Sequence, residues 1–163
     1  MILGMSLSTF TTVHVVISLI AIATGIVWLI ALAGGRHRPG WAAVFLLTTV
    51  ATSVTGFFFP NLKIGPPVIF GVVSLLVLTP VLLALYRSHL AGSWRWIYIA
   101  GGAFALYLNC VVLVVQSFQK LSFLKPLAPT QSEPPFLVAQ TIFLVAIVGL
   151  AFFALRRFRP IAV

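Results

Sequence analysis

Acidic side chains are all but missing from this sequence: Glu133 stands alone against ten lysines and arginines. A catalytic metal centre takes three or so protein ligands, and Glu133 with His14, the one histidine well inside an apolar run, supplies two at most. Cysteine is as scarce. Cys110 is the sole one, so neither a disulfide framework nor a thiolate zinc site can form within one chain. Its apolar surroundings also suppress the thiolate that nucleophilic catalysis would need. The other two histidines, His37 and His89, fall at the opposite ends of the apolar runs from His14. No two histidines therefore face each other as axial ligands of a transmembrane haem. Proton-coupled transport wants ionisable groups within the membrane, and 163 residues hold no inverted repeat pair for a self-sufficient transporter.

What the chain has in excess is apolar surface, with 61% hydrophobic residues and 7% charged. Five runs, at 10–33, 41–59, 68–90, 96–118 and 136–155, approach the ~20 residues at ~1.5 Å rise that cross ~30 Å of hydrocarbon. Arg87 and His89 fall in the last turn of the third run, where they can snorkel. Backbone polar groups in lipid must be satisfied internally, and runs without period-2 alternation exclude a barrel. The expectation is a single all-α integral membrane domain over 1–163, a bundle of five transmembrane helices with an extracytoplasmic loop at 119–135. A cleaved signal peptide ending at Ala31-Leu32-Ala33 is a poor reading of the first run. Its first ten residues carry no Lys or Arg, while Arg36 and Arg38 follow it.

Basic residues predict the orientation. Arg36, Arg38, Arg87, Arg95, Arg156, Arg157 and Arg159 share one side, and Lys63, Lys120 and Lys125 the other. The positive-inside rule then puts the N-terminus outside and the C-terminus in the cytoplasm. Trp28, Trp41, Trp94 and Trp96 sit at run ends on the arginine side, as an aromatic belt would. The net charge of +9 reads as an orientation signal and an attraction to anionic headgroups. With no folded basic module, nucleic acid is not an expected partner.

Polar residues inside the runs gather toward the outer end. His14 lies about one turn in on the first run, while Thr48, Thr52 and Thr55 recur at i, i+4 and i+7 on the second. Asn109, Gln116 and Lys120 follow at i, i+7 and i+11 on the fourth, and Gln140 lies about one turn inside the fifth. Buried in hydrocarbon, such groups must face the bundle interior. Two readings stay open: interhelical hydrogen bonds acting as glue, or a polar cavity open to the outer side with His14, Thr52, Thr55, Asn109, Gln116, Lys120, Glu133 and Gln140 as ligand-binding candidates. Ala21 with Gly25, Thr52 with Gly56, Gly101-Gly102 and Gly149 read as close-packing positions. Pro80 removes a hydrogen bond to the Leu76 carbonyl and predicts a kink.

The loop QKLSFLKPLAPTQSEPP carries prolines 126, 129, 134 and 135 and the apolar residues Leu121, Phe123, Leu124 and Leu127. Too apolar for a solvated linker, it predicts a lid over the outer mouth of the bundle. Glu133 either caps the fifth helix ahead of Pro134-Pro135 or closes over the cavity and pairs with His14 or Lys120. The run LYLNCVVLVVQSFQK followed by LAPTQSEPPF resembles a family of small polytopic bacterial membrane proteins with a TQSEPPF-type loop. The resemblance covers mainly residues 106–136, with TTVATSVTGFFFP a weaker match. It implies a bacterial inner-membrane setting and no chemistry.

These readings converge on a non-catalytic, multi-pass protein of the bacterial inner membrane, a subunit or assembly protein whose outer-leaflet pocket takes a quinone, a lipid or a partner subunit. Its expected partners are membrane lipids and a larger membrane complex or further copies of itself. No metal or resident cofactor is required. The alternatives are a membrane enzyme acting on a lipid or quinone with His14 and Glu133 as acid–base pair, and a component of a transport complex.

Overall fold

A computed structural model describes residues 2–60 and 65–160. The described residues form five α-helices, α1 Leu7–Ala33, α2 Pro39–Gly56, α3 Pro66–Tyr86, α4 Trp94–Lys120 and α5 Pro134–Arg157, with a 3-10 turn at Lys125–Leu127. Local chemistry explains the ends. Ser6 caps α1 by accepting the Thr9 N–H at 3.1 Å, and α2, α3 and α5 each open with proline in the first turn, where a missing N–H costs nothing. α1 closes on Gly34 and Gly35, the latter at φ +76°, which lets the Arg36 N–H return to the Ala31 carbonyl.

α1, α3, α4 and α5 are long and apolar enough to cross a membrane, the make-up of a multi-pass helical bundle. α2 has 18 residues and spends much of its second half on Thr48, Thr49, Thr52, Ser53 and Thr55. The third run is shorter than its sequence suggests. Rather than a last helical turn carrying Arg87 and His89, α3 stops at Tyr86, and His89 and Leu90 are both left-handed, at φ 45° and 60°. α3 continues through Pro80 as one helix.

Each helix packs on its neighbours in the chain, α1 and α5 close the ring, and α1 meets α4 across the middle. One end of this ring is filled by Trp28, Phe45, Tyr98, Ile99 and Leu106, all buried. Trp28 stacks on Phe45 with centroids 5.0 Å apart and donates from Nε1 to Tyr98 Oη at 2.7 Å. The aromatic-belt expectation thus holds as exposure for Trp41, Trp94 and Trp96 but is overturned for Trp28, which is 1% exposed. The indole goes inward because Tyr98 offers its N–H an acceptor there.

Glycines make this close packing possible. A Cβ on Gly25 would lie 2.8 Å from Leu106 and Phe45, one on Gly101 would press on Val81, and one on Gly102 would overlap the Trp28 ring. Gly149 does not belong with them: nothing lies within 4 Å of where its Cβ would be. It sits on α5, most of whose surface is exposed, including Leu144, Val145 and Val148. At the same end as the aromatic core, Arg95 Nη1 donates to the carbonyls of Leu155 at 2.8 Å and Phe158 at 2.6 Å, satisfying the end of α5.

Candidate functional site

At the opposite end, where α1 and α3 begin and α2 and α4 finish, the bundle encloses a cavity of about 550 Å³. Its existence follows from side-chain size. Ser18, Ser53, Gly56, Gly71, Ser74 and Ser117 all line it, so four helices meet through small residues and leave space. Phe57 and Phe59 wall the mouth; the Phe57 ring lies so close to α3 that a Cβ on Gly71 would approach it to 2.9 Å.

His14 is the best-defined polar group in the wall. Its Nδ1 lies 2.8 Å from Thr55 Oγ1, and the Thr55 hydroxyl donates to the Ala51 carbonyl at 2.7 Å. A hydroxyl has one proton. With that proton on Ala51, Thr55 accepts from Nδ1–H, which leaves Nε2 as a lone-pair acceptor with no hydrogen bond among the described residues. Phe59 meets the imidazole edge to face, centroids 5.2 Å apart, and fixes the ring plane.

The other candidates divide into three groups. Thr52, Asn109, Gln116 and Lys120 line the cavity with His14. Asn109 Nδ2 donates to Thr49 Oγ1 at 3.3 Å, joining α4 to α2, while Thr52 Oγ1 and Gln116 Oε1 are buried without a partner. Thr55 stands behind His14 and orients it. Gln140 lies off the cavity: its Nε2 reaches the Val111 carbonyl at 3.4 Å, and its Oε1 is unpartnered.

Glu133 is placed elsewhere altogether. It occupies the N-cap of α5, where Pro135 removes the N2 N–H and the Phe136 N–H goes to the Glu133 backbone carbonyl at 3.1 Å. The carboxylate turns back instead, accepting from the Thr130 hydroxyl at 2.8 Å and the amides of Thr130 and Ser132 at 3.1 Å each. Partial desolvation pushes its carboxyl up, but these hydrogen bonds outweigh that and hold it below the ordinary carboxylate value. It pairs with neither Lys120 nor His14.

The loop does not roof the cavity, contrary to its reading as a lid. Its Ala128 is buried with Val114 and Phe118, and Leu124, Phe136 and Phe143 pack around them. Gln131 Nε2 adds a bond to the Val115 carbonyl at 3.2 Å. Leu124 and Ala128 thus find cover in the α4–α5 groove, Phe123 and Leu127 stay exposed, and only Lys120 and Leu121 reach the cavity rim.

Sequence reasoning passed over Ser18, Ser53 and Ser74. Ser18 stands four residues after His14 and Ser53 beside Thr52, so helical spacing from the candidates already in hand would have found both. Their hydroxyls bond back to the carbonyls of His14 at 2.7 Å and Thr49 at 3.0 Å, which makes them small and self-satisfied. Among the described residues no three His, Cys, Asp or Glu side chains come together as a metal site would require. The wall is mainly apolar, with an acceptor at His14 Nε2, an amide, a hydroxyl and one cation at the rim. Comparison with protein-family models, with curated proteins and with solved structures finds no match to the chain.

Proposed function

We propose that this is a bacterial inner-membrane protein of five spanning helices, N-terminus outside and C-terminus cytoplasmic, whose outer-leaflet cavity binds the head of a neutral amphipathic molecule, a quinone or a lipid, without transforming it. The orientation is supported by the arginines, which follow α1, α3 and α5, against lysines at the other end. α2 completes the ring between α1 and α3, which argues for its crossing with them.

The observation that carries the binding role is the pair of buried, unpartnered oxygens, Thr52 Oγ1 and Gln116 Oε1, in the wall of a cavity of about 550 Å³. An unpaired buried group costs about 1–3 kcal/mol; Gln140 Oε1 is a third such oxygen, but only Thr52 and Gln116 belong to the cavity lining. Small-molecule sites have this form, mostly apolar with a few convergent polar groups in about 300–1,000 Å³. The acid–base reading fares worse, because it needs His14 and Glu133 together, and Glu133 is spent on Thr130 and Ser132. A partner subunit using the same mouth would meet the same groups.

The test uses Thr52→Val and Gln116→Leu, each removing one unpartnered oxygen at near-constant shape. Protein purified in mild detergent is extracted with solvent and its retained quinones and lipids are identified by mass spectrometry. Each substitution should raise thermal stability, by about 1 kcal/mol, because an unsatisfied buried group disappears, and should reduce the retained molecule. Raised stability with undiminished retention would end the binding reading.

A further inference from the structure

A second concavity, of about 420 Å³, lies at the arginine-rich end and is independent of the cavity described above. Three connections of the ring converge on it: Gly35 and His37 from the α1–α2 turn, His89 and Leu90 from the α3–α4 turn, and Phe158, Arg159 and Pro160 beyond α5. From these features we infer that the cleft bounded by His37, His89 and Arg159 binds a phosphate group, presented as a phospholipid headgroup or as a free phosphate ester.

The donor set is directional. Trp28 Nε1–H can only donate, so Tyr98 Oη accepts it at 2.7 Å and keeps its own proton for His37 Nε2, 3.2 Å away. That chain leaves His37 with Nδ1–H as its remaining hydrogen-bonding group. Burial lowers the pKa of His37, which favours this neutral donor form. Arg159 adds a guanidinium whose planar fork suits phosphate oxygens.

The cleft is also held in shape at a conformational cost. His89 and Leu90 are consecutive left-handed residues that are not glycine, a backbone that L side chains seldom adopt. Leu90 is buried as an anchor, its N–H bonded to the Ala84 carbonyl at 2.9 Å, while His89 stays exposed beside the cleft. On the third side, Arg95 holds the Phe158 carbonyl at 2.6 Å and so pins the segment bearing Arg159. The only acidic side chain of the protein, Glu133, is at the other end of α5. No carboxylate side chain therefore competes for these donors. A cationic cleft at the ends of apolar helices lies where phosphates of a bilayer are found.

The experiment offers delipidated protein in detergent either phosphatidylglycerol or diacylglycerol, which lacks the phosphate, and counts adducts by native mass spectrometry. Phosphatidylglycerol should be retained over diacylglycerol. Arg159→Gln should weaken it about tenfold, the loss of one charge-assisted hydrogen bond. His89→Gly should weaken it too while leaving the protein equally or more stable, since glycine accepts the left-handed backbone freely. A purely structural His89 would not separate the two readouts. Arg156→Gln, which removes an equal charge from a residue outside the cleft lining, should leave retention unchanged. Phosphatidylglycerol that millimolar inorganic phosphate cannot displace identifies a lipid headgroup. Thermal stabilisation by inorganic phosphate that Arg159→Gln abolishes identifies a free phosphate. Equal retention of diacylglycerol with no stabilisation by phosphate would overturn the proposal, as would equal losses in Arg156→Gln and Arg159→Gln, which would reduce the effect to diffuse charge.

Discussion

Tyr98→Phe removes one oxygen from the centre of the packed end and should be felt through two hydrogen bonds. Trp28 is 1% exposed, so the indole N–H left behind cannot turn to water, whereas His37, half-buried at the second cleft, can. The substitution deletes the bond accepted from Trp28 Nε1 at 2.7 Å and the one shared with His37 Nε2 at 3.2 Å. Measured interhelical bonds in membranes average only ~0.6 kcal/mol, because the unfolded chain in detergent also finds partners. In water-soluble proteins an orphaned buried donor costs about 1–3 kcal/mol. Two bonds at the lower figure and one orphaned indole at the higher bracket the loss at roughly 1–3 kcal/mol. Reversible unfolding in mixed micelles, followed by circular dichroism, reads it. The paired control is Trp28→Phe in the Tyr98→Phe background: with the indole N–H already gone, the double variant should fall short of the sum of the singles. Stability of Tyr98→Phe within experimental error of wild type, with additive singles, would refute the claim that this polar chain holds α1, α4 and the α1–α2 turn together.

Gly102→Ala should destabilise by about 1–3 kcal/mol through overpacking against Trp28, whereas Gly149→Ala should be neutral or stabilising by up to about 1 kcal/mol; thermal melts of both decide it. Glu133, its pKa depressed in the fold, contributes loop order that is present above the ordinary carboxylate pKa and lost as pH falls through the depressed one. Protection of the Thr130 and Ser132 amides, measured against the intrinsic exchange rate at each pH, should therefore fall on acidification in wild type and be lower than wild type at neutral pH in Glu133→Gln. Arg95→Leu should fray the end of α5, seen as faster exchange of the amides over 155–158, because the carbonyls of Leu155 and Phe158 lose their donor.

Helix positions were legible because length and apolarity alone dictate them in this composition. The runs at 10–33 and 136–155 match Leu7–Ala33 and Pro134–Arg157 within a few residues. The outward drift of polar residues was legible too, since 3.6-residue spacing puts His14, Thr52, Asn109 and Gln116 on faces that meet. Hydropathy carries no pairing information, so the contact of α1 with α4 and the inward turn of Trp28 toward Tyr98, 70 residues away, could not be read. The lid failed for a different reason. The α4–α5 groove that takes Leu124 and Ala128 is tertiary, and Phe123 and Leu127 are left exposed rather than turned over the cavity. Glu133 was readable in part: two prolines after an N-cap cut the N–H groups within its reach, and Thr130 with Ser132 stood close enough to bind its carboxylate instead.

The Arg95 clasp bears on the order in which the molecule is assembled. Its acceptors lie 60 and 63 residues later in the chain, at the end of α5 and just beyond it, and are synthesised after it. Before α5 exists, a guanidinium at that depth has no carbonyls to bind, and an unpaired charge is held toward the headgroups. The start of α4 can settle to its final depth only when α5 arrives and offers its terminal carbonyls. Arrival of α5 and seating of α4 are thereby one event, and a chain stalled before Leu155 would carry an unlatched ring.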